Sequence, residues 1–109
     1  MRTYRVLVMP RVLKKMDAIR KYIAEELCAP VAAERMYSRI AEAVLSLEKN
    51  PERCHTAFPG HPWAEGLRRM NVARYALFFR IRDEQVEVVD VLYAASDLER
   101  RLREDTKQE

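Results

Sequence analysis

Tyr75-Ala76-Leu77-Phe78-Phe79-Arg80-Ile81, then Arg82-Asp83-Glu84, then Val86 to Tyr93, is the stretch that decides the fold. Aromatic and aliphatic residues crowd the first run, a charged triplet breaks it, and the second run returns to valine and leucine. That order reads as a β-hairpin. Period-two alternation puts Tyr75, Leu77, Phe79 and Ile81 on one side of the first strand, and Ala76, Phe78, Arg80 and Arg82 on the other. The first side needs an apolar partner. The second carries arginines around one phenylalanine, the composition of a docking surface.

Outward from the hairpin the chain supplies that partner. Leu67 to Val72 is a short mixed strand, and Pro51 to Gly66 ahead of it is a loop holding both glycines, both histidines and the single tryptophan. Further upstream, Leu13, Met16, Ile19, Ile23 and Leu27 recur at helical spacing after Pro10, with Lys14, Lys15, Arg20 and Lys21 opposite. Cys28-Ala29-Pro30 interrupts the pattern, because a residue before proline avoids helical geometry. A second helix runs from about Pro30 to Lys49, with Met36, Ile40, Val44 and Leu47 as its buried stripe, and Asn50-Pro51 ends it. Tyr4 to Met9 is a first strand. Ser96-x-x-Glu99 matches a capping box ahead of a short helix from Asp97 to about Glu104. The expected fold is α+β, in the order β-α-α-β-β-β. A two-helix hairpin packs on a small, mainly antiparallel sheet, and a short C-terminal helix closes the chain. The folded domain is expected over residues 1–104, with 105–109 a charged, frayed tail.

Composition bounds the function. The 109 residues suit one domain, and 20 basic against 17 acidic side chains leave a formal charge of +3, which favours an acidic partner. Cys28 and Cys54 lie far apart with no C-x-x-C, and the N-terminal residues lack a secretory apolar stretch, so a cytoplasmic protein with two idle thiols is expected. No apolar run approaches the ~18 residues of a membrane span. Two glycines cannot build a phosphate-binding glycine loop, and a serine triad is improbable with two of the three serines (Ser38, Ser46, Ser96) inside a helix. No cofactor is expected. Nor is a metal, since Cys54-His55 with His61 alone does not make a zinc spacing.

The sharpest local signal is arginine. Between Gly66 and Arg82 stand Arg68, Arg69, Arg74, Arg80 and Arg82, with no acidic residue among them. Guanidinium groups pair bidentately with phosphate or carboxylate, so this segment is a candidate surface for nucleic acid or an acidic protein. The plainer reading is solvated strand positions pairing with Glu87 or Asp90. His55 and His61 are exposed loop histidines on the plain reading and acid–base groups on the functional one. Tyr93 and Asp97, where the last strand ends, are candidates to face a partner.

Several of these segments together resemble the RelE/ParE superfamily of bacterial toxins. They are Tyr4-Arg5-Val6, Ile19-Arg20-Lys21-Tyr22-Ile23, Leu47-Glu48-Lys49-Asn50-Pro51, Gly66-Leu67-Arg68-Arg69 leading into Ala73 to Ile81, and Val89 to Tyr93 followed by Ser96-Asp97-Leu98. The length of the helical hairpin is closer to the ParE branch. The resemblance implies a toxin of a type II toxin–antitoxin module, silenced by a cognate antitoxin that covers an exposed apolar groove. Either a homodimer through the helical hairpin or a heterotetramer with antitoxin is compatible with it.

The resemblance leaves three functional readings. The first is a ParE-like toxin that acts by binding DNA gyrase and is not an enzyme. The second is a RelE-like mRNA interferase, an endoribonuclease working at the ribosome, in which His55, His61, Arg74 and Arg80 would be the catalytic groups. The third is an inactive member that binds antitoxin only. Arg68, Arg69, Arg74, Arg80, Arg82, Tyr93 and Asp97 are the expected target- or nucleic-acid-binding residues, and Phe78 and Arg80 the expected antitoxin contacts. Ala76 stands where RelE-like nucleases carry an arginine, Asn71 where another nuclease branch carries a histidine, and no tyrosine or histidine comes after Tyr93. These departures favour the ParE-like reading.

Overall fold

The computed structural model describes residues 2–107. β1 (Arg5–Val8) leads into α1 (Pro10–Lys21), and α2 (Pro30–Ser46) returns beside it as the second arm of a hairpin. The remaining strands are β2 (His55–Thr56), β3 (Leu67–Val72), β4 (Tyr75–Arg82) and β5 (Gln85–Tyr93), and α3 (Leu98–Lys107) comes last. The sheet order is β1-β5-β4-β3-β2, with β1 parallel to β5 and every other pair antiparallel. The α+β architecture and the mainly antiparallel sheet are those the sequence predicts, with one strand more. β2 pairs His55 with Arg69 and Thr56 with Arg68, inside the segment expected to be loop. Two residues are too few for periodicity to reveal.

Both prolines that open helices sit in the first turn, where a missing N–H breaks no bond. The inner stripe of α1 is Val12, Met16 and Ile19, continued by Ile23 just past its end, whereas Leu13 and Leu27 are 49% and 56% exposed, contrary to the sequence expectation. The reason for Leu27 is a π-helical turn at Tyr22–Glu26, in which the Leu27 amide bonds back to Tyr22. One extra residue in a turn rotates the side chains beyond it by about 100°. α2 buries Ala33, Ile40 and Val44 along its length and Leu47 just past its end, with Met36 half-buried. Asn50, at φ 50°, then makes the left-handed stop before Pro51.

The hairpin side of β4 meets the helices as alternation requires: Leu77 and Phe79 join Val12, Met16, Ile40 and Val44 in one core. The other side is covered as well. Ala76, Phe78, Val89 and Leu92 lie under Ala57 and Ala64 of the 51–66 segment and under Leu102 of α3. Phe78 is fully buried, with the Phe58 ring stacked on it at 6.0 Å. It is therefore no surface anchor, which corrects the expectation that this side is an open docking face. A buried phenylalanine contributes roughly 1.5–3 kcal/mol through its removal from water, and here that gain fastens the loop and α3 to the sheet.

Two further boundaries differ. Ser96 does not cap α3: its hydroxyl donates to the Tyr93 carbonyl at 2.6 Å, and Asp97 Oδ1 accepts from the Arg100 amide. The helix also runs past 104, so residues 105–107 of the expected frayed tail are helical and 108–109 lie outside the described residues. Among the described residues, no helix is long and apolar enough to cross a membrane.

Candidate functional site

The register of β3 and β4 divides the arginines that the sequence groups together. Leu67, Arg69 and Asn71 pair with Arg80, Phe78 and Ala76 and share their face, while Arg68 pairs with Phe79 and belongs to the helical face. Arg68 is spent there, donating to the carbonyls of Cys54 at 2.6 Å and Glu52 at 3.2 Å. Arg69 Nε donates to Asn71 Oδ1 at 2.8 Å. Arg80 reaches the carbonyls of Trp63 and Glu65 at 3.4 and 3.5 Å, and burial, with Arg82 beside it, lowers its pKa. Arg82 is exposed and ion-paired with Glu87 at 3.2 Å, as the plainer reading of the sequence has it. Arg74 is exposed in the turn between β3 and β4.

Arg74 and Arg80 therefore stand at opposite ends of β4, about 20 Å apart along an extended strand at ~3.3 Å per residue. His55 sits on the edge strand opposite Arg69. His61 lies 3.5 Å from Glu99 of α3 and edge-on to Trp63. The structure thus brings His61 and Arg80 to the same loop through Trp63, and brings His55 to Arg69. It does not bring His55, His61, Arg74 and Arg80 to one point. Asp97 is exposed and pairs with Arg100 at 3.4 Å, and Tyr93 is 44% exposed with its ring edge-on to Tyr75 at 5.9 Å. No group of three or more His, Cys, Asp or Glu side chains positioned to hold a metal ion occurs among the described residues.

Sequence reasoning misses a charged cluster beneath α3. The pairing of Phe78 with Asp90 and of Phe79 with Val88 leaves Val89 as the extra residue of a β-bulge. Asp90 is fully buried, and its Oδ1 accepts from Lys15 Nζ at 2.6 Å and from the Val91 amide at 2.9 Å. Lys15 also donates to Asp105 Oδ2, and Arg11 donates to the Asp105 carbonyl. Burial raises the Asp90 carboxyl to about 6, with Asp105 adding to the rise and Lys15 opposing it. Its Oδ2 is buried without a donor, an oxygen suited to carry the proton itself. The visible signal is an aspartate set between valines in a mostly apolar strand. Its partner is 75 positions away, beyond the reach of local pattern.

The sheet is covered on one face by the helical hairpin and on the other by a loop and the terminal helix, with arginines along its rim. The chain belongs to the ParE toxin family of type II toxin–antitoxin systems (parDE), whose family model matches residues 6–98, and so to the RelE/ParE superfamily. Among solved structures it is similar to the chromosomal ParDE system of P. aeruginosa, at 16% identity and TM-score 0.68, over 82% of this chain and 94% of that one. The RelBE2 toxin–antitoxin complex of Mycobacterium tuberculosis matches at 20% identity and TM-score 0.64, over 88% and 97% of the two chains. A mutant of E. coli RelE in the free state, with two arginines replaced by alanine, matches at 13% identity and TM-score 0.65, over 97% and 96%. No curated protein gives a significant match.

Proposed function

We propose that this type II toxin acts by binding, with DNA gyrase as its target, and that a cognate antitoxin neutralises it. The observation that carries the reading is the separation of Arg74 from Arg80 across a face whose middle, Ala76, Phe78 and Leu92, is sealed by Leu102. Ribonucleolytic transfer needs a base at the 2′-hydroxyl, a cation at the phosphate and an acid at the leaving oxygen, all on one nucleotide. Ala76 occupies the centre where such a cation would act. The family model supports the ParE branch of the superfamily, and the ParDE and RelBE2 neighbours support an antitoxin partner.

The test is controlled expression in bacteria, with plasmid supercoiling and message integrity measured in the same culture. Lost supercoiling and broken DNA with intact messages is the expected result. Codon-phased message cleavage with normal supercoiling would overturn it in favour of the interferase. Harmless expression of a folded protein that still binds antitoxin would leave only the inactive, antitoxin-binding member.

A further inference from the structure

The arginine rim is not the only surface prepared for a partner. At the end of the sheet a cleft of about 240 Å³ opens between α1, α3 and the ends of β4 and β5. Ile19 and Leu92 line it, Tyr22, Tyr75 and Tyr93 surround it, and Arg101 of α3 stands at its side. Tyr22 is 54% exposed, although it lies on the helical hairpin where a tyrosine has apolar company available. Burial, then the neighbouring phenols of Tyr93 and Tyr22, raise the Tyr75 pKa, while Arg74 opposes them from the adjoining turn. The charge around the cleft is one-sided. No carboxylate lines it, Lys15 within it is already neutralised by Asp90 and Asp105, and neither Arg74 nor Arg101 has a carboxylate partner among the described residues.

Size and shape choose among ligands. Small-molecule sites usually enclose ~300–1,000 Å³, so this cleft is undersized for a cofactor and suits one large side chain. A nucleobase prefers a flat aromatic face on which to stack. Tyr75 and Tyr93 meet at 69°, which presents a corner and not a platform. Tyrosine and arginine around a desolvated pocket are instead the usual composition of a protein hot spot.

We infer that this tyrosine cleft receives one large apolar side chain of the cognate antitoxin, from a segment whose flanking carboxylates pair with Arg101 and Arg74. The inference rests on the antitoxin reading above and adds the place and chemistry of an anchor. It also explains why Tyr22 and Tyr93 are left exposed, since the antitoxin covers them until the module is activated.

The experiment immobilises the antitoxin from the co-expressed complex and measures the dissociation rate of toxin variants, because interface substitutions act mainly on that rate. Tyr93→Ala is expected to speed release about thirty-fold, Arg101→Glu to do likewise and more strongly at low salt, and Tyr93→Phe to retain binding. Thermal unfolding of each complex checks that the fold is intact. Release within about twofold of wild type for both disruptive variants would overturn the cleft while leaving the antitoxin reading standing. Variants that hold antitoxin normally but lose toxicity would overturn it too, making the cleft a target contact. So would protection of the tyrosines by a short single-stranded RNA and not by antitoxin. A wild-type chain that holds no antitoxin would end the antitoxin reading and this inference together.

Discussion

Lys15 on the first helix holds Asp90 of the last strand through a 2.6 Å ion pair, and the Asp90 carboxyl has no solvent exposure. Removing Lys15 would leave a buried charge without its counter-ion, a loss of roughly 3–5 kcal/mol. Lys15→Met should therefore be strongly destabilised at pH 7 and much less so at pH 5, where Asp90 takes up a proton. Urea unfolding at the two pH values checks it.

The same carboxyl sets a pH slope. Asp90 is raised from 3.8 to about 6, so its contribution to stability is fully present below the unfolded value and is lost as pH rises through about 6. Asp105 runs the other way: burial raises it, but hydrogen bonds with Asp90 and Lys15 outweigh that and lower its pKa, so its contribution is lost only in stronger acid. Asp90→Asn should therefore gain on the wild type as pH rises from 5 to 7. Tm measured across that range, with no relative change between the two proteins, would contradict the assignment.

Phe78→Ala opens a void between the sheet, Phe58 and Leu102. A loss of about 3–5 kcal/mol is expected, read by chemical denaturation, together with faster amide exchange in α3. A change in antitoxin affinity with stability unaltered would instead return Phe78 to the surface role that its sequence position suggests.

Arg80 and Arg82 are two residues apart and should behave differently. Arg82 shares an exposed pair with Glu87, so Arg82→Ala should change stability by less than about 1 kcal/mol. Arg80 is half-buried against the Trp63 and Glu65 carbonyls, so Arg80→Ala should cost about 1–3 kcal/mol and loosen the loop. Equal effects on hydrogen exchange at Ala64 would show that the guanidinium does not hold that loop.

The thiols separate by access. Cys28 is exposed, whereas Cys54 is buried and burial raises its pKa, with Arg53 and Arg68 opposing. A disulfide reagent should modify one thiol quickly and the second only on unfolding. Two fast equivalents would mean that the loop after α2 opens readily.

Most of the fold is legible because it depends on short-range period. The alternation of Tyr75 to Ile81 chooses the correct helical face, and the spacing of Met16, Ile19 and Ile23 chooses most of a correct stripe. What sequence reading misses depends on register or on distant closure. The Val89 bulge changes which residues share a face, the π turn rotates Leu27 outward, and α3 covers Phe78 from more than twenty residues away. The candidate site is legible only as composition. Five arginines in one segment look like a patch until strand pairing sends Arg68 to one face, Arg69 and Arg80 to the other, and Arg74 to a turn.

The strand order has a consequence for the birth of the molecule. β1, the first strand made, lies parallel to β5, the last, so the sheet cannot close until β5 has been made. The later strands assemble by hairpins from neighbouring sequence, while β1 must wait with its helices for a partner most of the chain away. An incomplete nascent chain therefore lacks both the finished sheet and the helix that covers it. The sheet and the helix that covers it are thus completed together, at the end of synthesis.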